Sequence, residues 1–190
     1  MHSIYYHLAA ELWWLLGAVW LIGAFTTKRT AQRQSGGSRF IQSLGTLFGL
    51  ALIFSHDIHS GWLTLPFLTP SDATGMLGLL LTFIGVIFAI WARITLGRNW
   101  SGTVTVKQDH TLVRRGPYAI VRHPIYTGFL LGALGVAIIV GQVRGLVGTA
   151  IVFAAFWLKY NTEETFMLAN FGDQYVQYKR EVKALIPFVF

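Results

Sequence analysis

The stretch LVRRGPYAIVRHPIYTG, residues 112–128, decides how the rest of the chain is interpreted. It places Arg114, Arg115, Arg122 and His123 between two long apolar runs, in a chain of 190 residues of which only 12% are charged. Charged groups beside a lipid bilayer are costly unless they are paired or face water, so such a cluster indicates a functional site. A positive-inside topology signal is the alternative, but that signal needs basic residues in no particular order.

Composition places the chain among integral membrane proteins. Hydrophobic residues make up 54% of it and the mean hydropathy is +0.53, whereas soluble domains carry about twice this share of charged residues. The length allows one domain. Cysteine is absent, which excludes a disulfide framework, a thiolate metal site and a cysteine nucleophile. The net charge is +7, but the basic residues flank apolar segments, which favours an anionic membrane leaflet over nucleic acid as the partner.

Apolar runs predict an all-α, polytopic fold with about five transmembrane helices. The runs cover residues 8–25, 40–55, 75–96, 129–140 and 146–158. The last two are short for full spans, and extending them from residue 125 to residue 160 predicts a tight helical hairpin. Whether its second arm crosses the membrane completely is left open. Several glycines would allow close helix contact in this hairpin: Gly128, Gly132, Gly135, Gly141, Gly145 and Gly148.

Charge predicts the orientation of these helices. Residues 161–190 interleave charged and aromatic side chains, which predicts an amphipathic helix that lies along the membrane or over the protein. With five spans, fourteen of the fifteen lysines and arginines fall on one side, and only Arg144 falls on the other. The positive-inside rule makes the first side cytoplasmic, with the N-terminus outside and the C-terminus inside. We expect a prokaryotic cell membrane, because the chain is short and has no extra N-terminal spans.

A division into two parts follows from the same pattern. Residues 1–92 are predicted to be N-terminal transmembrane helices, and residues 93–190 to hold the functional core with its cytoplasmic pocket. His56, Asp57 and His59 invite a metal-site interpretation, but we predict a polar loop and no metal, because metal sites usually draw ligands from more than one element.

Residue types in the core suit a ligand that carries an anion, a cation and a sugar, as S-adenosylmethionine does. The candidates are Arg115 and Arg122 for the anion, Tyr118 and Tyr126 for the cation, and Glu163 and Glu164 for hydroxyl groups or an amine. Arginine binds carboxylate or phosphate as a fork, and tyrosine rings accept cations on their faces. The alternative is that an arginine and a glutamate form a structural ion pair that caps the hairpin.

The order of motifs resembles the isoprenylcysteine carboxyl methyltransferase family and its phospholipid methyltransferase relatives. The motifs are His110-Thr111-Leu112-Val113, Gly116-Pro117-Tyr118, Arg122-His123-Pro124-Ile125-Tyr126-Thr127-Gly128, Glu163-Glu164, Phe171-Gly172, Tyr175, Tyr178 and Ile186-Pro187. The resemblance covers roughly residues 93 to 190, and the first 70 residues match only in being membrane spans.

The resemblance implies a cofactor, S-adenosylmethionine with S-adenosylhomocysteine as product, and a set of site residues. The implied cofactor pocket is lined by His110, Thr111, Leu112, Val113, Tyr118, His123, Pro124, Ile125, Tyr126 and Glu163. The implied catalytic residues are Arg122, His123, Lys159 and Glu164. Lys159 stands where the family has an arginine, which keeps the charge but loses the bidentate fork.

The implied reaction is methyl transfer to a lipophilic acceptor, most like carboxyl O-methylation of an isoprenylcysteine-type substrate that reaches the site through the membrane. A carboxylate acceptor needs no general base, whereas an amine would need His123 or Glu164 as one. A phospholipid or small apolar amine is therefore the alternative acceptor.

An NADPH-dependent membrane reductase is a more distant alternative. A small transporter is disfavoured, because Glu11 is expected near a membrane edge with no charge in mid-span. The physiological acceptor and the oligomeric state are left open.

Overall fold

The structure, a computed structural model, describes residues 2–25, 30–33, 36–55, 58, 61–97, 105–107 and 112–189. It is built on helices, as predicted. The helices are α1 (His2–Ala24), α2 (Gly36–Phe54), α3 (Asp72–Leu96), α4 (Pro124–Val140), α5 (Val143–Phe171) and the short α6 (Asp173–Glu181). Two 3-10 turns, Gly61–Thr64 and Gly116–Ala119, lie in the connections.

A small antiparallel sheet departs from the predicted all-α fold. Strand β1 (Thr30–Arg33) pairs with β2 (Thr105–Lys107), and the register shifts between Thr30 and Gln32. The prediction had only polar connections here. Strands of three or four residues are too short to show an alternating pattern, so the pairing depends on two connections meeting in space.

Three helices in the described part of the chain are long and apolar enough to cross a membrane: Ile4–Ala24, Asp72–Leu96 and Val143–Phe171. Two apolar stretches, Arg39–Phe54 and Pro124–Val140, are shorter. Helix α3 begins with a capping box. The Ser71 side chain accepts from the Thr74 backbone N–H, and the Thr74 side chain accepts from the Ser71 backbone N–H. Such a capping box satisfies donors that a helix start leaves unpaired.

Helix α1 begins six residues earlier than the apolar run that predicted it, at His2. Glu11 therefore lies about 10 Å inside the apolar stretch that starts at Ile4, at 1.5 Å per residue. Its side chain is exposed. The position of Glu11 near a membrane edge stays a prediction.

The hairpin of α4 and α5 is present, but the closest helix contacts are made elsewhere. Gly141, in the left-handed region with φ of +66°, and Gln142 alone join the two helices. Yet α4 packs most extensively on α3, and α5 on α2. The hairpin does contain one close contact, since a Cβ atom at Gly145 would lie 2.9 Å from the Cα atom of Ala137. Most of its other glycines face α2 and α3 instead of each other.

Two glycine contacts carry this packing. A Cβ atom at Gly85 would lie 2.5 Å from the carbonyl oxygen of Gly128, and a Cβ atom at Gly49 would lie 2.7 Å from that of Gly148. The backbones approach each other too closely for any side chain, as is common between membrane helices. The bundle thus contains two glycine-packed pairs, α3 with α4 and α2 with α5, and α1 packs against α3 and α4.

Residues 161–190 do not form the single amphipathic helix that was predicted. Helix α5 continues to Phe171, Gly172 interrupts it with φ of +50°, and α6 follows. After α6 the chain becomes extended at Val182. A glycine in this conformation ends a helix without strain, which is why the segment divides at Gly172.

Two buried arginines close the ends of helices at opposite ends of the bundle. Arg144 donates to the carbonyls of Leu52 and Ile53, at 2.9 and 3.2 Å, and also to that of Ser55. Arg93 donates to Gly23 at 2.6 Å and to Gly97 at 2.9 Å. A cation beside the last carbonyls of a helix satisfies acceptors that the helix leaves unpaired. We call the end with Arg93 the motif end, because residues 112–126 lie there too.

Candidate functional site

The C-terminal tail lies alongside the end of the 112–128 stretch. The backbone N–H of Arg122 donates to Lys183 at 2.8 Å, and that of His123 donates to Ala184 at 3.0 Å. The Thr127 hydroxyl donates to the carbonyl of Leu185 at 2.8 Å. Segments sixty residues apart in sequence therefore form one unit at the motif end.

Two prolines shape the backbone of this unit, as the sequence predicted. Gly116, with φ of +59°, and Pro117 open the 3-10 turn, and the carbonyl of Tyr118 accepts the Tyr178 hydroxyl at 2.5 Å. Pro124 occupies the first turn of α4, where its missing N–H leaves no helix bond unmade. His123 precedes Pro124, so its side chain extends from the first residue before α4.

A buried ion pair joins α4 to α5. Nε and Nη2 of Arg122 lie 2.8 and 2.7 Å from Oε1 of Glu164, and the two side chains are 9% and 7% exposed. Nη1 of Arg122 donates to the carbonyls of Val182 and Lys179. The second oxygen of Glu164 lies 2.6 Å from Nζ of Lys179. All the partners described for Arg122 and Glu164 are therefore groups of the protein. This geometry agrees with the alternative interpretation of an arginine and a glutamate as a structural ion pair.

His123 lies between the two glutamates. Its Nε2 is 3.2 Å from Oε1 of Glu164 and its Nδ1 is 3.5 Å from Oε2 of Glu163. The ring packs against Tyr126 and Tyr160, with centroids 5.7 and 5.0 Å away. Burial alone lowers the pKa of His123, but hydrogen bonds and charge from Glu163 and Glu164 outweigh it and raise the pKa. The two carboxylates therefore favour the protonated form of this imidazole.

Glu163 is the more accessible of the paired glutamates. Its side chain is 22% exposed against 7% for Glu164. The hydroxyl of Tyr126 donates to Oε1 of Glu163 at 2.5 Å. Nζ of Lys159 lies 5.5 Å from the centroid of the Tyr126 ring, within the range of a cation–π contact. A carboxylate, an ammonium and a tyrosine face therefore meet at one partly open position.

The structure brings together six of the predicted site residues: Arg122, His123, Tyr126, Lys159, Glu163 and Glu164. Tyr118 lies near this group. Burial raises the pKa of Tyr118 most, and the charge of Glu163 raises it further. Leu112 and Val113 are half-buried, Ile125 packs on the core, and Pro124 is fully buried. His110 and Thr111 lie outside the described residues, as do His56, Asp57 and His59.

Lys179 is the member of this cluster that sequence reasoning missed. It reaches Glu164 from α6, and nothing near it in sequence marks it out from the neighbouring basic residues. Arg115, expected to help Arg122 bind an anion, is exposed. Tyr175 and Tyr178, expected to pack, are each 2% exposed.

A model of the phospholipid methyltransferase family matches residues 73–174, which is more than half of the chain and includes the Arg122–Tyr126 motif and both glutamates. The chain belongs to the phospholipid methyltransferase family. The matched region begins at α3 and ends just after α5, so it contains every residue of the cluster except Lys179.

Two curated relatives from different organisms have closely similar names. Protein-S-isoprenylcysteine O-methyltransferase of Schizosaccharomyces pombe is 38% identical over 101 residues, which are 52% of this chain and 43% of that protein. Protein-S-isoprenylcysteine O-methyltransferase B of Arabidopsis thaliana is 32% identical over 115 residues, 59% of this chain and 58% of that protein. The chain spans about half the length of the curated relatives that it matches. The resemblance drawn from the motifs is confirmed.

A solved structure supports the fold. That of the eukaryotic intramembrane Ras methyltransferase ICMT (isoprenylcysteine carboxyl methyltransferase) is 30% identical, covers 80% of this chain and 50% of its own, and has a TM-score of 0.52. This likeness and the three long apolar helices show that the chain is an integral membrane protein.

Replacing Arg122 by alanine is expected to lower the free energy of unfolding by about 3–5 kcal/mol, because Glu164 would remain buried with its main partner removed. Thermal unfolding of the purified protein in detergent measures the loss. Arg115→Ala is the matched control, since Arg115 is exposed, and should change stability by less than about 0.5 kcal/mol. Equal effects of the two substitutions would contradict a structural role for the ion pair.

Stability is also expected to depend on pH through His123. Because its pKa is raised in the folded protein, its contribution is fully present below the unfolded value of about 6.5 and is lost as the pH rises through the folded value. The melting temperature should therefore fall as the pH is raised from about 6.5. His123→Gln should flatten this part of the profile, and an unchanged slope in that variant would exclude His123 as its source.

Proposed function

We propose that this protein is an S-adenosylmethionine-dependent methyltransferase that acts on a lipophilic acceptor, most like carboxyl O-methylation of an isoprenylcysteine-type substrate. The observation that carries the proposal is the partly exposed carboxylate of Glu163, which Tyr126 and His123 hold beside Lys159. The names of the curated relatives support the same reaction.

The donor set around Glu163 fits the proposed cofactor. A carboxylate of which 22% is exposed suits an ammonium group or ribose hydroxyls, and tyrosine faces suit a sulfonium cation. The residues proposed to hold the cofactor are Tyr118, Tyr126 and Glu163, with Leu112, Val113 and Ile125 as apolar neighbours. His110 and Thr111 are kept in this proposal from the family resemblance.

The chemistry divides between cofactor and protein. When bound, S-adenosylmethionine supplies a methyl group on a sulfonium, which is already an activated electrophile. The protein then has to bind, orient and exclude water. Lys159 is proposed to hold the carboxylate of the acceptor by charge, and Tyr126 to fix Glu163 in position. A carboxylate is ionised at neutral pH, so no side chain needs to remove a proton.

Three residues expected to be catalytic are better assigned as positioning residues. The side chains of Arg122 and Glu164 are occupied by each other and by the tail. His123 faces two carboxylates, which leaves it unsuited to act as the general base for an amine. We propose that these three hold Glu163 and Tyr126 and do not touch the acceptor.

An amine acceptor is the second candidate, and two observations favour it. The matching family model is described as phospholipid methyltransferase, and Lys159 offers no bidentate fork for a carboxylate. Glu163 would then be the accessible carboxylate that could accept the amine proton.

We propose five membrane spans, with α2 and α4 as the shorter ones. The motif end would face the cytoplasm of a prokaryotic cell, with the N-terminus outside and α6 along the membrane surface. Within this arrangement residues 1–92 would anchor the methyltransferase core of residues 93–190. The water-soluble cofactor would enter at the motif end, and the lipophilic acceptor would arrive laterally between helices.

Glu163→Gln is expected to weaken binding of S-adenosylhomocysteine about 10- to 100-fold, because a hydrogen bond to a charged group contributes about 1.5–3 kcal/mol. Titration calorimetry of the purified protein measures this. Glu181→Gln is the matched control, since the Glu181 side chain is 45% exposed and pairs with Arg114 away from Glu163. Absence of binding in the unsubstituted protein would refute the proposed function.

The chemical class of the acceptor is expected to show in the product. Membranes containing the protein are incubated with the cofactor labelled in its methyl group, and the labelled lipid extract is treated with base. A methyl ester releases the label as methanol, whereas a methylated amine keeps it. Release is expected, and should be lost in Lys159→Ala while cofactor binding persists. Retention of the label would replace carboxyl methylation by the amine alternative.

A further inference from the structure

Arg39, near the start of α2, has a buried nitrogen for which no described residue provides an acceptor. Its side chain is partly buried, and its Nε has no hydrogen-bond partner in the described part of the chain. None of the described ion pairs includes Arg39. A guanidinium keeps its charge in proteins, and a buried donor on a charged group is costly without an acceptor. The side chain is therefore suited to an anionic group that another molecule brings.

The packing of α2 on α5 gives the level of Arg39 in the bundle. A Cβ atom at Gly49 would lie 2.7 Å from the carbonyl oxygen of Gly148, and a Cβ atom at Gly45 would lie 3.3 Å from that of Ala155. The two helices thus run in opposite directions. Arg39, six residues before Gly45, is therefore level with the part of α5 about six residues after Ala155.

The direction of Arg39 follows from its spacing to a residue with a known contact. Leu50 packs on the core that contains Tyr126 and Tyr160. Arg39 lies eleven residues before Leu50, which is close to three full turns of an α-helix, so the two residues are on the same side of α2. The part of α5 level with Arg39 is the part that carries Lys159. Arg39 and Lys159 are thus brought to one region of the bundle by two different helices.

The two carboxylates of the cluster are bound by other groups. Glu164 pairs with Arg122 at 2.7 Å, and Tyr126 donates to Glu163 at 2.5 Å. Neither glutamate forms a described ion pair with Arg39. An anion for Arg39 would therefore come with a bound molecule. A carboxylate matches the edge of a guanidinium that carries Nε–H and one Nη–H, because both N–H groups can donate in parallel.

We propose that Arg39 binds the carboxylate of the acceptor together with Lys159. The inference rests on the proposed function, in which Lys159 attracts this carboxylate by charge but has no bidentate fork. Arg39 would supply the missing guanidinium from a second helix. It lies outside residues 73–174, which the family model matches, so the proposal gives α2 a part in recognition of the acceptor.

Binding of a minimal acceptor tests the proposal. N-acetyl-S-farnesylcysteine combines a free carboxylate with an isoprenyl chain, and its methyl ester is the uncharged control ligand. Dissociation constants are measured with the purified protein in detergent. Arg39→Ala is expected to weaken binding of the acid about 10- to 100-fold, because a charge-assisted hydrogen bond is lost. Binding of the ester should change little. Arg180→Ala, which removes an exposed arginine of α6, is the matched control and should bind the acid normally.

S-adenosylmethionine also carries a carboxylate, so S-adenosylhomocysteine is titrated into the same variants. Its affinity is expected to be unchanged in Arg39→Ala. A loss of S-adenosylhomocysteine binding in this variant would assign Arg39 to the cofactor and overturn the proposal. Arg39→Gln, which keeps a long polar side chain without charge, should reproduce the results of Arg39→Ala.

Thermal unfolding without ligand separates this role from a structural one. Arg39→Ala removes a buried donor that has no described acceptor, so the melting temperature should stay the same or rise. Arg122→Ala, which breaks the buried ion pair, should lower it. A loss in Arg39→Ala as large as that in Arg122→Ala would overturn the proposal.

Failure of the proposed function is measured separately. It would show as absence of S-adenosylhomocysteine binding and of methyl transfer in the unsubstituted protein, and binding of the acid would still be measurable there. Two further results would overturn the role of Arg39 itself: no binding of the acid to the unsubstituted protein, or equal binding to Arg39→Ala.

Discussion

The buried ion pair of Arg122 and Glu164 is the constraint on which the motif end depends. Charges removed from water must be matched closely, or the cost of desolvation dominates. Here the matching draws on separate parts of the chain, because Arg122 precedes α4, Glu164 lies in α5, and Lys179 comes from α6. The carbonyls of residues 179 and 182 complete the arginine's hydrogen bonds. Satisfying one buried charge therefore fixes the tail against both helices.

The same ion pair joins the two halves of the bundle. Close glycine contacts hold α3 to α4 and α2 to α5, and each pair brings part of the site. Arg122, His123 and Tyr126 come with α4, while Lys159 and Glu163 come with α5. Aromatic contact between Tyr126 and Phe156, with centroids 4.6 Å apart, continues the join into the apolar region. The site thus forms where the two helix pairs meet, and its geometry depends on the contacts between them.

The sequence predicted the apolar spans and most members of the cluster, because hydropathy and motif order are local signals. It did not predict Lys179, which is brought to Glu164 only by the turn at Gly172. Nor did it predict the β1–β2 sheet or the partners of α4, since both depend on segments that meet in space. The start of α1 at His2 was also not predicted, because an apolar run does not show where its helix begins.

The adjacent glutamates have different surroundings because neighbouring residues on a helix point about 100° apart. Glu164 therefore turns to Arg122 and Lys179, and Glu163 turns to Tyr126 and the more open side. The cations Arg122, Lys159 and Lys179 outnumber the two carboxylates. An acceptor carboxylate entering beside Lys159 reduces this excess, whereas a protonated amine increases it. Charge balance at the site thus supports the anionic acceptor that we propose, even though Lys159 lacks the bidentate guanidinium of an arginine.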